Sequence, residues 1–243
     1  MREPAPDAAD IEIAPPGLPG IRPMAAGDWL RADGDFAGAM ALRAALLRDR
    51  RDAVLGAVPG SDAVVRRALA RIVDELRRTR GCEVGRDVLS RPDGGRVALD
   101  ADPLEVLALA VQEDVCVMER GPDGTHRLVA AALCFPAEWT LSEKLGRGLP
   151  GIHGPVASYD GRLAARVQRL FDGLHPDRPL ERSNAHLHAE GRRHAPKREA
   201  EAKARPAGGR WLRRERQCLV GLGPERGGAA LFTIRTYVTR LAD

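Results

Sequence analysis

The residues best suited to do chemistry lie in one stretch rich in glycine and proline, residues 135–156. Repeated Gly and Pro residues predict an ordered loop or a broken helix, and ordered loops that carry reactive side chains often hold ligands. His153 stands directly before Gly154-Pro155, whose stiff backbone suits a fixed metal ligand. The stretch also contains Trp139, Lys144 and Arg147, large side chains that lose conformational entropy when they are ordered.

Two acidic residues are candidates for binding a cation. Glu113 interrupts the apolar run Val106–Glu119, where an unpaired carboxylate would be costly to bury. Two interpretations stay open for it: a structural salt bridge to Arg216 or Arg235, or contact with a cationic amine. Glu215 is the second candidate for amine binding, because the arginines on either side of it favour its ionised form.

Four basic residues are candidates for binding carboxylates, which the planar guanidinium of Arg contacts through both oxygens. They are Arg235, Arg216, Lys144 and Arg147. Arg235 is the strongest candidate, since the apolar residues before it would not tolerate a free charge; a structural pair with an acid such as Glu113 is the alternative. Tyr237 is a candidate for lining a pocket that attracts an ammonium group, with a place in the core as the alternative.

The elements around these residues predict an α+β fold. Helical periodicity on both sides of Pro59-Gly60 predicts a helical hairpin at about 35–80, with Ser61 as the cap of its second helix. Apolar runs on either side of Gly121–Gly124 predict one β-hairpin, and the runs 211–222 and 229–238 predict another. The second hairpin could place Glu215 and Arg235 on one face of the sheet, as a working pair around a pocket. Asp160 begins a helix between them. Adjacent hairpins favour one antiparallel sheet with helices on one side.

The composition favours a single domain. The chain has 243 residues, of which 44% are hydrophobic, and a net charge of +4. We expect a disordered leader over 1–20, one domain over 21–243 with a sheet-containing core at about 97–241, and a flexible basic loop at about 186–209. No Cys-x-x-Cys pair, signal pattern or long apolar run is present, which favours a cytoplasmic protein that does not enter membranes.

Five sequence blocks, in one order, resemble the heme-dependent oxidative N-demethylase alpha-subunit family. The resemblance covers roughly Ile21 to Leu241. One departure is Asn184-Ala185, where the family commonly has Asn-Trp, and the loss of the large ring could enlarge or empty a pocket. The blocks are Val111–Asp114, the stretch 135–156, Glu181–Asn184, Arg214–Gln217 and Phe232–Tyr237.

The resemblance implies a PAS-like heme-binding domain preceded by the helical hairpin. Heme b would take His153 as its axial iron ligand. Arg235, Arg216, Lys144 and Arg147 would be candidates for its propionates, and Glu215, Glu113 and Tyr237 for the catalytic pocket. The implied activity is oxidative N-demethylation of a small methylated amine, a monooxygenase reaction that releases formaldehyde. No dinucleotide-binding loop or iron–sulfur cysteine spacing is present, so electrons would come from a partner flavin and iron–sulfur reductase.

Two other functions stay open. PAS-like folds also serve as non-catalytic sensors or interaction modules, and amine-dependent oxygen consumption would separate these from an enzyme. Nucleic-acid binding through the segment Arg192–Arg205 is opposed by its Glu199 and Glu201 and by its lack of aromatic residues. His186 and His188, two residues apart, could chelate a metal only if their segment is ordered.

Overall fold

The computed structural model describes residues 20–25, 27–154, 160–201, 210–223 and 226–241. The leader predicted over 1–20 therefore lies, apart from Gly20, outside the described residues. None of the described helices is long and apolar enough to cross a membrane. The elements are β1 (Arg22–Pro23), α1 (Phe36–Val54), β2 (Leu55–Ala57), α2 (Asp62–Leu76), β3 (Glu83–Val84), β4 (Val88–Ser90), β5 (Arg96–Ala98), α3 (Pro103–Ala110), β6 (Asp114–Arg120), β7 (His126–Ala132), α4 (Leu141–Lys144), α5 (Leu149–His153), α6 (Gly161–Asp172), β8 (Leu180–His188), β9 (Trp211–Leu222) and β10 (Ala229–Arg240).

Within the described ranges, seven strands form one antiparallel sheet in the order β1-β8-β9-β10-β6-β7-β2. β9 and β10 pair along their full length, from Trp211 opposite Arg240 to Leu222 opposite Ala229. β10 also pairs with β6, so this strand lies at the centre of the sheet. Both predicted β-hairpins, β6–β7 and β9–β10, are confirmed. A smaller sheet contains β3, β4 and β5.

Helices cover both faces of the large sheet, so the prediction of helices on one side is wrong. One face packs against α1, α2 and α3 and is called here the Arg235 face. The other packs against α4, α5 and α6 and is called the His153 face. Val115 belongs to the first cluster and its neighbour Cys116 to the second, because adjacent strand residues point to opposite sides. A mixed α/β domain with a large antiparallel sheet is confirmed, whereas PAS-like topology stays a prediction.

The N-terminal helices do not form the simple hairpin predicted from their periodicity. α1 ends at Val54, and β2 follows it directly and pairs with β7 at the edge of the sheet. α1 and α2 each pack against α3. Ser61 is the N-cap residue of α2 as predicted, but its hydroxyl donates to the carbonyl of Val58 rather than accepting from the helix.

The apolar run Val106–Glu119 is divided between a helix and a strand. Asp102 caps α3 by accepting hydrogen bonds from the backbone amides of Leu104 and Glu105, and Pro103 occupies the first turn, where its missing N–H costs nothing. The strand begins only at Asp114. The composition of this run suits either a helix or a strand, and the cap at Asp102 favours a helix in its first part.

The segment predicted as a basic loop over 186–209 begins within β8, which continues to His188. Beyond it, Glu199 ties the chain to α4. Its carboxylate lies 2.5 Å from Lys144 Nζ and 3.1 Å from Arg147 Nη1, and its amide donates to Glu143. The prediction for 202–209 lies outside the described residues.

Candidate functional site

His153 is the last residue of α5, in a turn that glycine permits. A Cβ on Gly148, the residue before this helix, would lie 2.9 Å from the side chain of Thr125, so only glycine allows this approach to the β6–β7 hairpin. Leu149 is buried in the core of the His153 face. The Nδ1 atom of His153 lies 2.9 Å from the carbonyl oxygen of Leu149. A carbonyl only accepts, so Nδ1 carries the proton and Nε2 the lone pair.

The electrostatic surroundings favour a neutral imidazole at His153. Burial is the main cause that lowers the pKa of His153 below its usual value, and the positive charges of Lys144 and Arg182 act in the same direction. The hydrogen bond to Leu149 opposes this shift without reversing it. A neutral ring with Nδ1 bound to a carbonyl is the form in which histidine binds metals.

A strip of polar side chains from β8 and β9 lies on the same face as His153. Arg182 stands opposite Gln217, and Asn184 stands opposite Glu215. Alternation along β8 places Arg182 and Asn184 on the side of Leu180, which packs against the apolar cluster of the His153 face. This cluster also contains Ile152, Trp139 and Phe232.

Glu215 is fully engaged within this strip. Its Oε1 accepts a hydrogen bond of 3.0 Å from Arg213 Nε, and its Oε2 accepts one of 3.0 Å from Gln217 Nε2. Asn184 Nδ2 lies 3.5 Å from the same Oε2. The carboxylate charge is therefore already balanced by Arg213, and Glu215 serves to orient Asn184.

Two buried polar atoms of the strip have no hydrogen-bond partner among the described residues: Arg182 Nε and Asn184 Oδ1. The orientation of the Asn184 amide follows from Glu215, because the carboxylate must face the NH2 group and so turns Oδ1 away. Buried polar atoms are nearly always satisfied, so unpartnered ones mark places where another group belongs. A neutral imidazole, an apolar wall and polar atoms without described partners are side-chain features compatible with a heme.

The structure places four of the predicted residues on the opposite side of the sheet. Arg235 lies 3.0 Å from Asp33 Oδ1, and Tyr237 donates a hydrogen bond of 2.8 Å to Asp33 Oδ2. Arg216 pairs with Glu181 at 2.8 Å and also donates to the carbonyl of Asp28. These side chains attach the segment before α1 to the Arg235 face.

Glu113, the fourth of them, is buried without an ion pair among the described residues. Its Oε1 accepts a hydrogen bond from the amide of Arg31, and its Oε2 has no partner. Burial raises the pKa of Glu113, against the attraction of Arg235. The two salt bridges considered from the sequence, to Arg216 and Arg235, are not formed: Arg235 binds Asp33 instead.

Glu215 and Arg235 therefore do not form a working pair. Glu215 stands opposite Thr236, and Arg235 opposite Arg216, so the two side chains project from opposite faces. Lys144 and Arg147 lie on the side of His153, where both bind Glu199 and Lys144 also donates to the carbonyl of Ile152 at 2.6 Å. The sequence missed Arg182 and Asn184 as site residues, although both stand in one of the blocks that carry the resemblance.

The departure at Ala185 does not enlarge the space beside His153. Ala185 stands opposite Arg214 and alternates with Asn184, so it projects from the Arg235 face. His186 and His188 lie in β8, and within the described ranges no group of three or more His, Cys, Asp or Glu side chains could hold a metal ion. A cavity of about 380 Å³ lies elsewhere, lined by Leu42, Val238 and the residues 191–194.

A comparison with known protein families assigns the chain to one of them. The profile of the family described as haem-dependent oxidative N-demethylase, alpha subunit-like, matches residues 20–243, and the chain belongs to this family. A comparison with curated proteins gave no match. The family supports heme dependence and oxidative demethylation as themes, in agreement with the resemblance seen in the sequence.

We expect His126 to make the protein less stable in mild acid. His126 is fully buried, and burial lowers its pKa below the usual 6.5 against the attraction of Asp172. Just below pH 6.5 the unfolded chain therefore binds a proton that the folded chain does not. The free energy of unfolding consequently decreases as the pH is lowered. His126→Asn keeps an acceptor for Gln168 and should reduce this slope, by at most about 1.4 kcal/mol per pH unit. Urea unfolding of both proteins at pH 7.5 and 5.5 measures it; equal slopes would contradict the prediction.

Proposed function

We propose that the protein is the heme-binding component of an oxidative N-demethylase, with His153 Nε2 as the axial iron ligand. The observation that supports this most is the state of His153: a neutral imidazole, with Nδ1 bound to a carbonyl, beside an apolar cluster. Bound heme would supply the activation of oxygen by which an N-methyl group is hydroxylated and then lost as formaldehyde.

The residues beside His153 suggest how the amine is held. Asn184 Oδ1 is a buried acceptor with no partner within the described ranges, and we propose that it accepts a hydrogen bond from the N–H of a small methylated ammonium ion. Glu215 holds the Asn184 amide in this orientation. This assigns to Glu215 a positioning role instead of the direct contact with the amine expected from the sequence.

We further propose that the electrons come from a partner protein with flavin and iron–sulfur centres. The support for this is the family resemblance, which suggests such a reductase, together with a sequence that has no dinucleotide-binding loop and no iron–sulfur cysteine spacing. The segment 190–201, with Arg192 and Arg198 exposed, lies next to the site through the contact of Glu199 with Lys144.

The test has two stages. Purified protein is first titrated with hemin, and a Soret band at one heme per chain is expected. Dimethylamine and trimethylamine are then added under a chemical reductant and air, and amine-dependent formaldehyde is measured. Absence of stoichiometric heme binding would reject the proposal. Heme binding with neither an amine-induced Soret shift nor formaldehyde would favour the second candidate.

That second candidate is a heme-binding module without turnover. The observation in its favour is the pairing of Glu215, whose carboxylate already binds Arg213 and Gln217 and so is not an unpaired charge for an amine. A small gaseous ligand or the heme itself would then be the signal. Asn184→Ala separates the two candidates, because it should weaken the amine-induced Soret shift in an enzyme and should leave carbon monoxide binding unchanged in either.

A further inference from the structure

We infer that Arg182 binds a propionate of the heme, a role that the sequence assigns to other residues. This inference rests on the proposed heme site and identifies how that site recognises its ligand. Arg182 lies on the His153 face, half-buried, at a position of β8 opposite Gln217. Leu180, two positions before it on the same side of β8, packs against the apolar cluster that also contacts Ile152, the neighbour of His153.

Arg182 has no ion-pair partner in the part of the chain that the structure describes. No described acid lies within 4.0 Å of it, and its buried Nε has no hydrogen-bond partner among the same residues. Burial lowers the pKa of Arg182, and the attraction of Glu215 opposes this only in part. Glu215 makes no direct contact with it, because its carboxylate oxygens accept hydrogen bonds from Arg213 and Gln217 instead. A partly buried guanidinium in this state is available to bind an anion from outside the described chain.

The other basic residues considered for this role have partners already. Arg235 and Arg216 bind Asp33 and Glu181 on the opposite face of the sheet. Lys144 and Arg147 share Glu199. Any of these four would have to share its charge between a propionate and an acid that it already binds, whereas Arg182 has no such described acid.

The chemistry of the two groups matches. A propionate carboxylate takes two parallel hydrogen bonds from a guanidinium, and such a pair adds geometric specificity as well as free energy. The methylated amine is a cation and is repelled by Arg182, so the nearby acceptor Asn184 Oδ1 and the donor Arg182 would serve different ligands. The apolar cluster of the His153 face would then hold the apolar body of the heme.

The experiment compares heme with its dimethyl ester, in which both propionates lose their charge. Wild-type protein, Arg182→Gln and Arg178→Gln are each titrated with hemin and with hemin dimethyl ester, following the Soret band. Arg178 is the matched control, an exposed arginine that precedes β8. We expect Arg182→Gln to weaken hemin binding roughly 10- to 100-fold, the effect of one charge-assisted contact. The ester should bind wild type and Arg182→Gln alike, and Arg178→Gln should behave as wild type.

The outcomes separate this inference from the proposed function. If wild type binds hemin and Arg182→Gln binds it equally well, the inference is wrong and the heme site stands. Equal losses for hemin and ester would mean that Arg182 has a structural role, and would also overturn it. If wild type binds neither compound, the heme site itself is rejected and the inference with it. Arg182→Lys is a second variant, for the case in which Arg182→Gln fails to fold. It keeps the charge but not the paired hydrogen bonds, and its preference for hemin over the ester should be intermediate.

Discussion

Arg43→Met should destabilise the folded protein by about 3–5 kcal/mol, the usual cost of leaving one charge of a buried pair uncompensated. Arg43 Nη1 lies 2.7 Å from Asp114 Oδ1, and neither side chain has any exposed surface. Asp114 also accepts hydrogen bonds from the amides of Cys134 and Phe135, at 2.7 and 2.8 Å. The carboxylate therefore joins α1 to the start of the segment that leads to His153, and its charge depends on Arg43.

Urea denaturation at pH 7 measures this loss. Arg48→Met is the matched control, because Arg48 lies on the same helix and pairs with Asp49 while 71% of its side chain is exposed. The control should change the free energy of unfolding by less than about 0.5 kcal/mol. Asp114→Asn in the Arg43→Met background removes the stranded charge and should recover part of the loss. A loss below about 1 kcal/mol for Arg43→Met would show that the cluster tolerates an unpaired carboxylate or takes in water.

His153→Ala should lower heme affinity by more than about 100-fold, because even outer residues that orient a metal ligand are worth 10- to 100-fold. The fold should survive, since the ring is only half-buried and its Nδ1 contact is local to α5. Hemin titration, with far-ultraviolet circular dichroism as a check on folding, measures the effect. Imidazole added to the variant should restore part of the Soret band by occupying the vacated position.

His186→Ala is the control for this substitution. His186 is exposed in β8, on the same chain segment as Arg182 and Asn184, and should bind heme as wild type does. An unchanged Soret band in folded His153→Ala, or failure of His186→Ala instead, would contradict the assignment of His153. A loss of heme in both variants would point to damage to the site as a whole rather than to a lost iron ligand.

Local signals in the sequence were sufficient for the elements that depend on local contacts. Asp160 caps α6 through the amide of Leu163, as the sequence predicts. The glycines and prolines after Phe135 do break the chain into short helices, α4 and α5. The two hairpins follow from apolar runs joined by turns, which need only neighbouring residues to form.

Contacts between residues far apart in the chain could not be predicted from local sequence patterns. Asp33 and Arg235 are separated by 202 positions, so the sequence offered Glu113 as the partner because both lie in apolar runs. Which face each strand residue occupies depends on register, and one step reverses it. That is why Arg235 and Glu215 were grouped together and Arg182 was overlooked: the relation of β8 to α5 is set by packing across the sheet, not by spacing along the chain.

The central position of β10 affects how the protein is made on the ribosome. β10 joins the β1-β8-β9 part of the sheet to the β6-β7-β2 part, yet it follows every other strand in the chain. Until residues 229–240 have been synthesised, β6 and β9 each present an edge without its partner strand. The two parts of the sheet cannot be joined before β10 is available. Open edges of this kind invite pairing with other nascent chains. We therefore expect folding to complete late, after translation of β10, and expression at low temperature or with holdase chaperones to raise the soluble yield.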